Sequence, residues 1–284
     1  MTVVKTAWVT DSTAYLDEEL KKHPDIYSVP LSVILDGEVF ADGIDLTSHE
    51  LFERLKHLKS PPKTSQPSVG AFQEVFERLS KDYDQIVAVH LSGKLSGTVS
   101  SSEQAAKLVD ISVTIFDSNI LTLPMSALMK KGMELLAEGH NLEHVIKQME
   151  EIRDTNETYV LVGSLEQLHR GGRMSGVQFF LGSMLNVKPV ISFDNGALYV
   201  KEKVRSEKKA KDKILEYFKQ AYEKHRFKEV YLLYGLHKDH TIDWRQEIQT
   251  RYPELNVLDA PLGAVIGVHA GENTLGISWF NGLK

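Results

Sequence analysis

Two clusters of small hydroxyl side chains stand out as groups that could bind a ligand. The first is PPKTSQPS, residues 61–68, which is stiffened by prolines, and the second is SGKLSGTVSSS, residues 92–102. Hydroxyls and backbone N–H groups are uncharged hydrogen-bond donors. The two clusters therefore indicate a ligand site, and the second, which leads into a helix, indicates an anion site. Ser, Gly and Thr also cap helices where no ligand binds.

The second cluster connects a predicted strand, QIVAVHLSG, to a predicted helix. The N–H groups of Gly97 and Thr98 are expected to point outward at the positive end of that helix dipole. Asp11-Ser12-Thr13 and Asp117-Ser118 also follow predicted strands, and ligands of open α/β sheets bind at such strand ends. The sequence contains no phosphate-loop or dinucleotide motif, so nucleotide binding is not supported.

A serine hydrolase is the enzyme alternative. The nucleophile elbow G-x-S-x-G sets its serine between a strand and a helix, but here Ser96 comes one position too late after Gly93. His269 is the most suitable base, because glycines on both sides of it allow a ligand to approach. This alternative predicts hydrolysis of acyl esters through Ser96 and His269. In the structural interpretation, His269 is a buried core histidine whose hydrogen bonds are made within the protein.

Metal binding is only weakly indicated. HNLEH, residues 140–144, matches H-x-x-E-H, a motif that works when both histidines share a helix face. Gly139 is expected to end one helix and Asn141 to cap the next, which leaves His140 outside. HKDH, residues 237–240, lacks a third ligand. We interpret the first as a chance match and the second as a weak indication.

Two basic segments could meet a partner. LHRGGRMS, residues 168–175, places Arg170 and Arg173 around a glycine pair, as in a plain turn or in a loop that meets a carboxylate, a phosphate or a protein. KEKVRSEKKAKDK, residues 201–213, is interpreted as a solvated helix face. A third hypothesis is thus a regulatory module that binds a protein through these two segments.

The pattern of elements predicts how these residues are positioned. Strands alternate with helices up to DTNET, residues 154–158, which is typical of a mostly parallel sheet with flanking helices. Beyond it, strands, a hairpin and helices indicate a mixed α+β arrangement. We therefore predict an N-terminal α/β domain at 1–155 and a C-terminal α+β domain at 156–284.

Local signals predict particular turns and helix caps. Asp36-Gly37 and Asn195-Gly196 each predict the turn of a hairpin. Thr47 and Glu50 form a capping box at the start of a predicted helix. Ser68 is expected to cap the next helix, on which Phe72 and Phe76 share one face.

Composition excludes several classes of protein. Of 284 residues, 42% are hydrophobic and 25% charged, as in globular domains, and a net charge of −6 argues against nucleic acid. The zero cysteines exclude disulfides and thiolate metal sites and favour a reducing cytoplasm. Apolar stretches are too short to span a membrane, and no secretory signal is visible.

The order of the motifs resembles the DegV family. From Val9 to the C-terminus the chain carries V-T-D-S-T, T-S-Q-P-S, S-G-x-L-S-G-T, L-x-R-G-G-R, K-P-V and H-A-G. The resemblance implies a lipid carrier of phospholipid metabolism that binds a long-chain fatty acid such as palmitate between its two domains. It implies no catalytic residue, cofactor or metal, and it leaves room for transient contact with a membrane surface.

The resemblance also implies roles for particular residues. The hydroxyls of Thr64 and Ser96 would hold the carboxylate, with His269 close to it. In some members, the acyl-binding subunit of bacterial fatty acid kinase presents the carboxylate to a separate ATP-binding subunit, which Arg170 and Arg173 would face. The predicted fatty-acid-binding residues are Thr64, Ser65, Ser96, Gly97, Thr98 and His269.

Two further expectations concern the pocket and one loop. VQFFLGSML, residues 177–185, and LGAVIGV, residues 262–268, are candidates to line the acyl tail, and each could equally be plain core. The family often has Gly-Pro-Gly after the histidine, whereas this chain has Gly271-Glu272-Asn273. The role of that loop is left open.

Overall fold

The computed structural model describes residues 4–173 and 187–283. The chain divides into two compact units, of which unit 1 is Met1–His140 with Gly263–Val265 and unit 2 is Asn141–Leu262 with Ile266–Lys284. The sequence places a boundary at about 155, whereas this division assigns the helix Leu142–Arg153 to unit 2. The α/β fold class, with a parallel sheet and a second mixed sheet, is confirmed.

Unit 1 contains β1 (Thr6–Asp11), α1 (Glu18–Lys22), β2 (Ile26–Val29), β3 (Ser32–Leu35), β4 (Glu38–Ala41), α2 (Ser48–Leu55), β5 (Lys63–Ser65), α3 (Val69–Leu79), β6 (Gln85–His90), α4 (Thr98–Ala106), β7 (Ser112–Asp117) and α5 (Thr122–Ala137). Strands β2, β1, β6 and β7 form a sheet in that order, with every pairing parallel. The carboxyl ends of β1, β6 and β7 therefore lie along one edge.

The core of unit 1 lies between this sheet and the helices packed on it. The apolar face predicted for α3 is buried, with Phe72 and Phe76 at 0% exposure. Ser68 caps α3, since its side chain accepts the Ala71 N–H at 3.1 Å. The predicted capping box of α2 is also present, with Thr47 and Glu50 bonded reciprocally.

A small antiparallel sheet in the order β4-β3-β5 completes unit 1. The predicted hairpin turns at Asp36 and Gly37, whose φ angles are 48° and 92°, as a tight two-residue turn requires. The stretch that sequence reasoning interpreted as a rigid proline loop contains a strand, since β5 pairs with β3 and Thr64 lies opposite Val33.

Unit 2 contains α6 (Leu142–Arg153), β8 (Asn156–Leu161), α7 (Leu165–Arg170), β9 (Lys188–Asp194), β10 (Ala197–Val204), α8 (Glu207–His225), β11 (Glu229–Tyr234), a 3-10 turn (Lys238–Thr241), α9 (Ile242–Arg251), β12 (Asn256–Pro261), α10 (Ala264–Ala270) and β13 (Leu275–Phe280). Helix α10 begins within the three residues assigned to unit 1. The sheet order is β10-β9-β8-β13-β11-β12. Only β11 and β12 pair in parallel among the described strands of this sheet.

An aromatic core stabilises unit 2. Trp279 of β13 is fully buried, and the rings of Phe218 and Phe227 lie 5.5 and 5.8 Å from its ring. The predicted turn at Asn195 and Gly196 joins β9 and β10. The basic stretch 201–213 is only partly helical, because Val204 still belongs to β10 and α8 begins at Glu207.

Within the described ranges 4–173 and 187–283, no helix combines the length and apolar character that crossing a membrane requires.

Candidate functional site

The loop between β6 and α4, residues 91–97, is fixed by carboxylates of the neighbouring strands. Asp11 Oδ2 accepts the Leu91 N–H at 2.9 Å, and Asp117 accepts the Gly93 N–H at 3.1 and 3.2 Å through its two oxygens. Both acids stand at the ends of their strands, β1 and β7, as the sequence predicts. They serve here as acceptors that shape the loop.

The loop also bonds to itself. The N–H groups of Leu95 and Ser96 donate to the Ser92 carbonyl at 3.0 and 3.1 Å, and the Lys94 N–H donates to Ser92 Oγ at 3.2 Å. Among residues 4–173 and 187–283, the structure gives no acceptor for the Gly97 N–H. A formed turn thus presents one backbone donor at the N-terminus of α4.

Ser96 is oriented by Thr98. Ser96 Oγ accepts the Thr98 N–H at 3.3 Å and lies 2.8 Å from Thr98 Oγ1. When the Thr98 hydroxyl donates to Ser96, the Ser96 proton is left to donate to a ligand. The predicted outward direction of the Thr98 N–H is wrong, because that group bonds Ser96 and Thr98 is fully buried.

In the first hydroxyl cluster, adjacent side chains of β5 point to opposite faces, as in any strand. Thr64 is half-buried and Ser65 is exposed. The Ser65 hydroxyl donates to the Gln66 carbonyl at 3.2 Å. A single ligand group can therefore contact the side chain of Thr64 or that of Ser65, but not both, because the two side chains point to opposite faces of the strand.

The two clusters meet at Gly97. A Cβ atom built on Gly97 would lie 2.7 Å from Gln66 Nε2, so the glutamine amide packs directly on the glycine. Sequence reasoning did not single out Gln66, although it stands inside the quoted T-S-Q-P-S motif. The side chain of Gln66, the hydroxyl of Ser96 and the N–H of Gly97 thus belong to one region of unit 1.

The chemistry of this region suits an anion. Its donors are an N–H, hydroxyls and an amide, and α4 directs the positive end of its dipole toward them. Asp11 and Asp117 accept N–H groups of the loop and so shape the site, and they are not donors to a ligand.

Another buried acid lies at the turn after β4. Asp42 accepts the Ser12 hydroxyl at 2.8 Å and the N–H of Val265, at the start of α10, at 3.4 Å. Burial raises the pKa of the Asp42 carboxyl to about 6, despite these hydrogen bonds and with a small contribution from the charge of Asp11.

In unit 2, the R-G-G-R loop and His269 of α10 lie together. A Cβ atom built on Gly171 would lie 2.1 Å from His269 Nδ1, so only glycine fits against the ring. Burial, assisted by the charge of Arg173, lowers the pKa of His269 to about 4. Burial also lowers the pKa of Arg173, whose Nη1 donates to the Gly171 carbonyl. His269 is therefore neutral at physiological pH.

Arg170, the other arginine predicted to face a kinase partner, has different surroundings. Arg170 is exposed at the end of α7 and forms an ion pair of 2.6 Å with Glu166. The loop of Glu272 is fixed through its backbone, because the Glu272 carbonyl accepts the Leu236 N–H at 2.8 Å.

Within the part of the chain that the structure describes, no group of three or more His, Cys, Asp and Glu side chains could hold a metal ion. Asn141 caps α6, as predicted, and His140 lies outside that helix. The rings of His237 and His240 are 5.0 Å apart. The first candidate tail segment, residues 177–185, lies outside the described residues.

Comparison with known proteins decides the family. The family model described as an uncharacterised protein of the DegV family matches residues 5–282. The chain belongs to the DegV family. Protein DegV of Bacillus subtilis is 37% identical over 275 residues, which cover 96% of this chain and 98% of that protein. The resemblance in the sequence motifs is thereby confirmed.

Two solved structures of DegV family proteins match almost the whole chain. DegV of Bacillus subtilis, described as a fatty acid binding protein, is 36% identical with a TM-score of 0.90 and covers 98% of this chain and 99% of its own. A DegV family protein from Thermus thermophilus, also described as binding fatty acid, is 36% identical with a TM-score of 0.90, covering 96% and 98%.

Proposed function

We propose that this DegV family protein binds a long-chain fatty acid and holds its carboxylate on neutral donors of unit 1. The observation that carries the proposal is the meeting of the two hydroxyl motifs at Gly97, against which Gln66 packs. The fatty acid binding described for relatives at 36% identity supports the same class of ligand.

In this proposal, the hydroxyls of Thr64 and Ser96 and the N–H of Gly97 donate to the carboxylate. Thr98 acts behind Ser96 by directing its hydroxyl proton, and its own side chain is buried. His269 remains a proposed contact on the strength of the family resemblance alone, whereas Ser65, predicted as a further contact, points to the other face of β5 from Thr64 and is not proposed to touch the same carboxylate through its side chain.

Neutral donors have a specific consequence for the head group. Hydrogen bonds to a carboxylate favour its ionised form, whereas a buried cation would fix it in a strong ion pair. Donors of this kind bind the ionised acid and leave its oxygens chemically accessible. The site thereby suits a carrier whose ligand reacts elsewhere.

Most of the affinity should come from the tail. Burial of a methylene contributes about 0.8 kcal/mol, so a tail of about fifteen carbons offers roughly 12 kcal/mol before the costs of ordering. Palmitate is the reference ligand for this estimate. The location in the cytoplasm stays a prediction that rests on the absence of cysteine.

The first test is the bound lipid itself. Purified protein is extracted with organic solvent and the extract is analysed by mass spectrometry, while delipidated protein is heated with and without palmitate. We expect a fatty acid in the extract and a rise in melting temperature on adding palmitate. An empty extract together with an unchanged melting temperature would refute the proposal.

The serine hydrolase alternative is tested in parallel. It predicts turnover of acyl esters and labelling of Ser96 by a fluorophosphonate, and a carrier predicts neither. Among residues 4–173 and 187–283, Ser96 Oγ forms hydrogen bonds only with atoms of Thr98, and a histidine with a pKa of about 4 is a weak base. The geometry therefore favours the carrier.

We also propose that the bound acid is presented to a kinase subunit, with Arg170 and Arg173 on the partner side. Arg170 is the exposed member and Arg173 is folded onto its own loop, so Arg170→Ala is the cleaner variant. In a reconstituted assay with an ATP-binding kinase subunit, we expect Arg170→Ala to abolish acyl phosphate formation while palmitate binding persists. Equal phosphorylation by wild type and variant would argue against this role.

A further inference from the structure

Three polar side chains without solvent exposure form a hydrogen-bonded chain in unit 1. Asp11 ends β1, His90 ends β6 and Ser102 lies on α4, and all three are 0% exposed. His90 Nδ1 lies 3.3 Å from Asp11 Oδ2, and His90 Nε2 lies 2.8 Å from Ser102 Oγ. The ring of Phe72 packs on the imidazole, with ring centroids 5.0 Å apart and an interplanar angle of 65°.

Asp11 also bonds the backbone around the site. Its Oδ1 accepts the N–H and the hydroxyl of Thr13 at 3.0 and 2.6 Å, and its Oδ2 accepts the Leu91 N–H at 2.9 Å. The position of the His90 ring between Asp11 and Ser102 is therefore fixed from the carboxylate side by several hydrogen bonds.

The same three residue types form the triad of serine hydrolases. Here all three side chains lack solvent exposure, so no substrate can reach the Ser102 hydroxyl. The three hydrogen-bonded side chains instead link α4 to the C-terminal ends of β1 and β6. Its role must therefore be sought in what those elements carry.

These elements position the loop between β6 and α4, residues 91–97, which is proposed to bind the carboxylate. Asp11 holds the loop at Leu91, its first residue. Ser102 follows Thr98 by four residues on α4, so the two share a helix face, and Thr98 in turn orients Ser96. The hydrogen-bonded side chains of Asp11, His90 and Ser102 are thus connected to both ends of the segment 91–98, which presents the donors.

We infer that Asp11, His90 and Ser102 are positioning residues that give the site its preference for a carboxylate over an uncharged head group. The inference rests on the proposed fatty acid binding. A carboxylate gains from several donors only when their directions are fixed together, whereas an alcohol can be satisfied by a single hydrogen bond. A displaced α4 should weaken the binding of the acid more than that of the alcohol, because the burial of the tail is unchanged.

The experiment compares palmitic acid with hexadecanol, which has the same chain length. Dissociation constants of both ligands are measured for delipidated wild type, Ser102→Ala and Ser100→Ala, an exposed serine on the same helix. We expect Ser102→Ala to weaken palmitic acid by about tenfold and hexadecanol by less than about twofold. Ser100→Ala should match the wild type for both ligands.

Equal weakening of both ligands by Ser102→Ala, or an unchanged acid-to-alcohol ratio, would overturn the inference. Ser102→Cys keeps a donor of similar size, and it should give an intermediate ratio if Ser102→Ala does not fold. In that case, an unchanged acid-to-alcohol ratio of dissociation constants in Ser102→Cys would also overturn the inference. A wild type that binds neither ligand would instead refute the proposed function, before any variant is compared.

Discussion

Gly97 is required by the space around it, because its φ angle of −77° is open to any residue. The amide of Gln66 occupies the place that a Cβ atom would take. This single contact joins two motifs that lie about thirty residues apart. A methyl group at this position is therefore the smallest change that should separate them.

Gly97→Ala should displace Gln66 and weaken palmitate binding by about tenfold, the cost of a disturbed hydrogen-bonding arrangement. The matched control is Gly70→Ala in α3, where the nearest atom to a new Cβ, Ser68 Oγ, lies 3.9 Å away. Titration with palmitate measures both variants. Equal affinities in Gly97→Ala and Gly70→Ala would show that the Gln66 contact does not matter for binding.

Two buried titratable groups, Asp42 and His269, change the free energy of unfolding in opposite directions as pH rises. The folded-state pKa of Asp42 is raised from 3.8 to about 6, so its contribution is complete below about pH 3.8 and lost as pH rises through 6. The pKa of His269 is lowered from 6.5 to about 4, so its contribution is complete above about pH 6.5 and lost as pH falls through 4.

Single variants should separate the two effects. From pH 4 to pH 7.5, the free energy of unfolding of Asp42→Asn should rise relative to wild type by up to about 3 kcal/mol. That of His269→Gln should rise by a similar amount, about 3 kcal/mol at most, as pH falls from 7.5 to 4. Urea unfolding across this range gives both curves, and curves parallel to the wild type would show that neither group is perturbed.

At the scale of elements, sequence reasoning worked where periodicity and caps were unambiguous. The strands β1, β6 and β7 and the caps at Thr47, Ser68 and Asn141 were predicted from local patterns alone. Helix α10 was not, because three glycines at 263, 267 and 271 flank or interrupt it and its burial depends on tertiary packing. Strand β5 was missed because its three residues stand between prolines and extend only against β3.

The cap of α3 provides a test that separates stability from binding. Ser68→Ala removes the acceptor of the Ala71 N–H and should lower the free energy of unfolding by about 1 kcal/mol. Because the Ser68 side chain bonds its own helix, palmitate affinity should stay within about twofold. Chemical unfolding and a palmitate titration measure the two quantities, and a large loss of affinity would place Ser68 in the site.

At the scale of the whole molecule, local patterns could name the strand ends but not the contacts among them. Asp11 and His90 are 79 positions apart and meet only because β1 and β6 pair in parallel. Gln66 and Gly97 meet through the fold in the same way. Chemistry-bearing residues were thus predictable by type, and their partners were set by topology.

The central claim is that an ionised head group rests on neutral donors of unit 1. The most direct measurement is a calorimetric titration of delipidated wild type, Ser96→Ala and the exposed control Ser100→Ala with palmitate. We predict saturable binding by wild type and Ser100→Ala, with Ser96→Ala weaker by about tenfold or more. A wild type without binding, or a Ser96→Ala variant as tight as the control, would contradict the account.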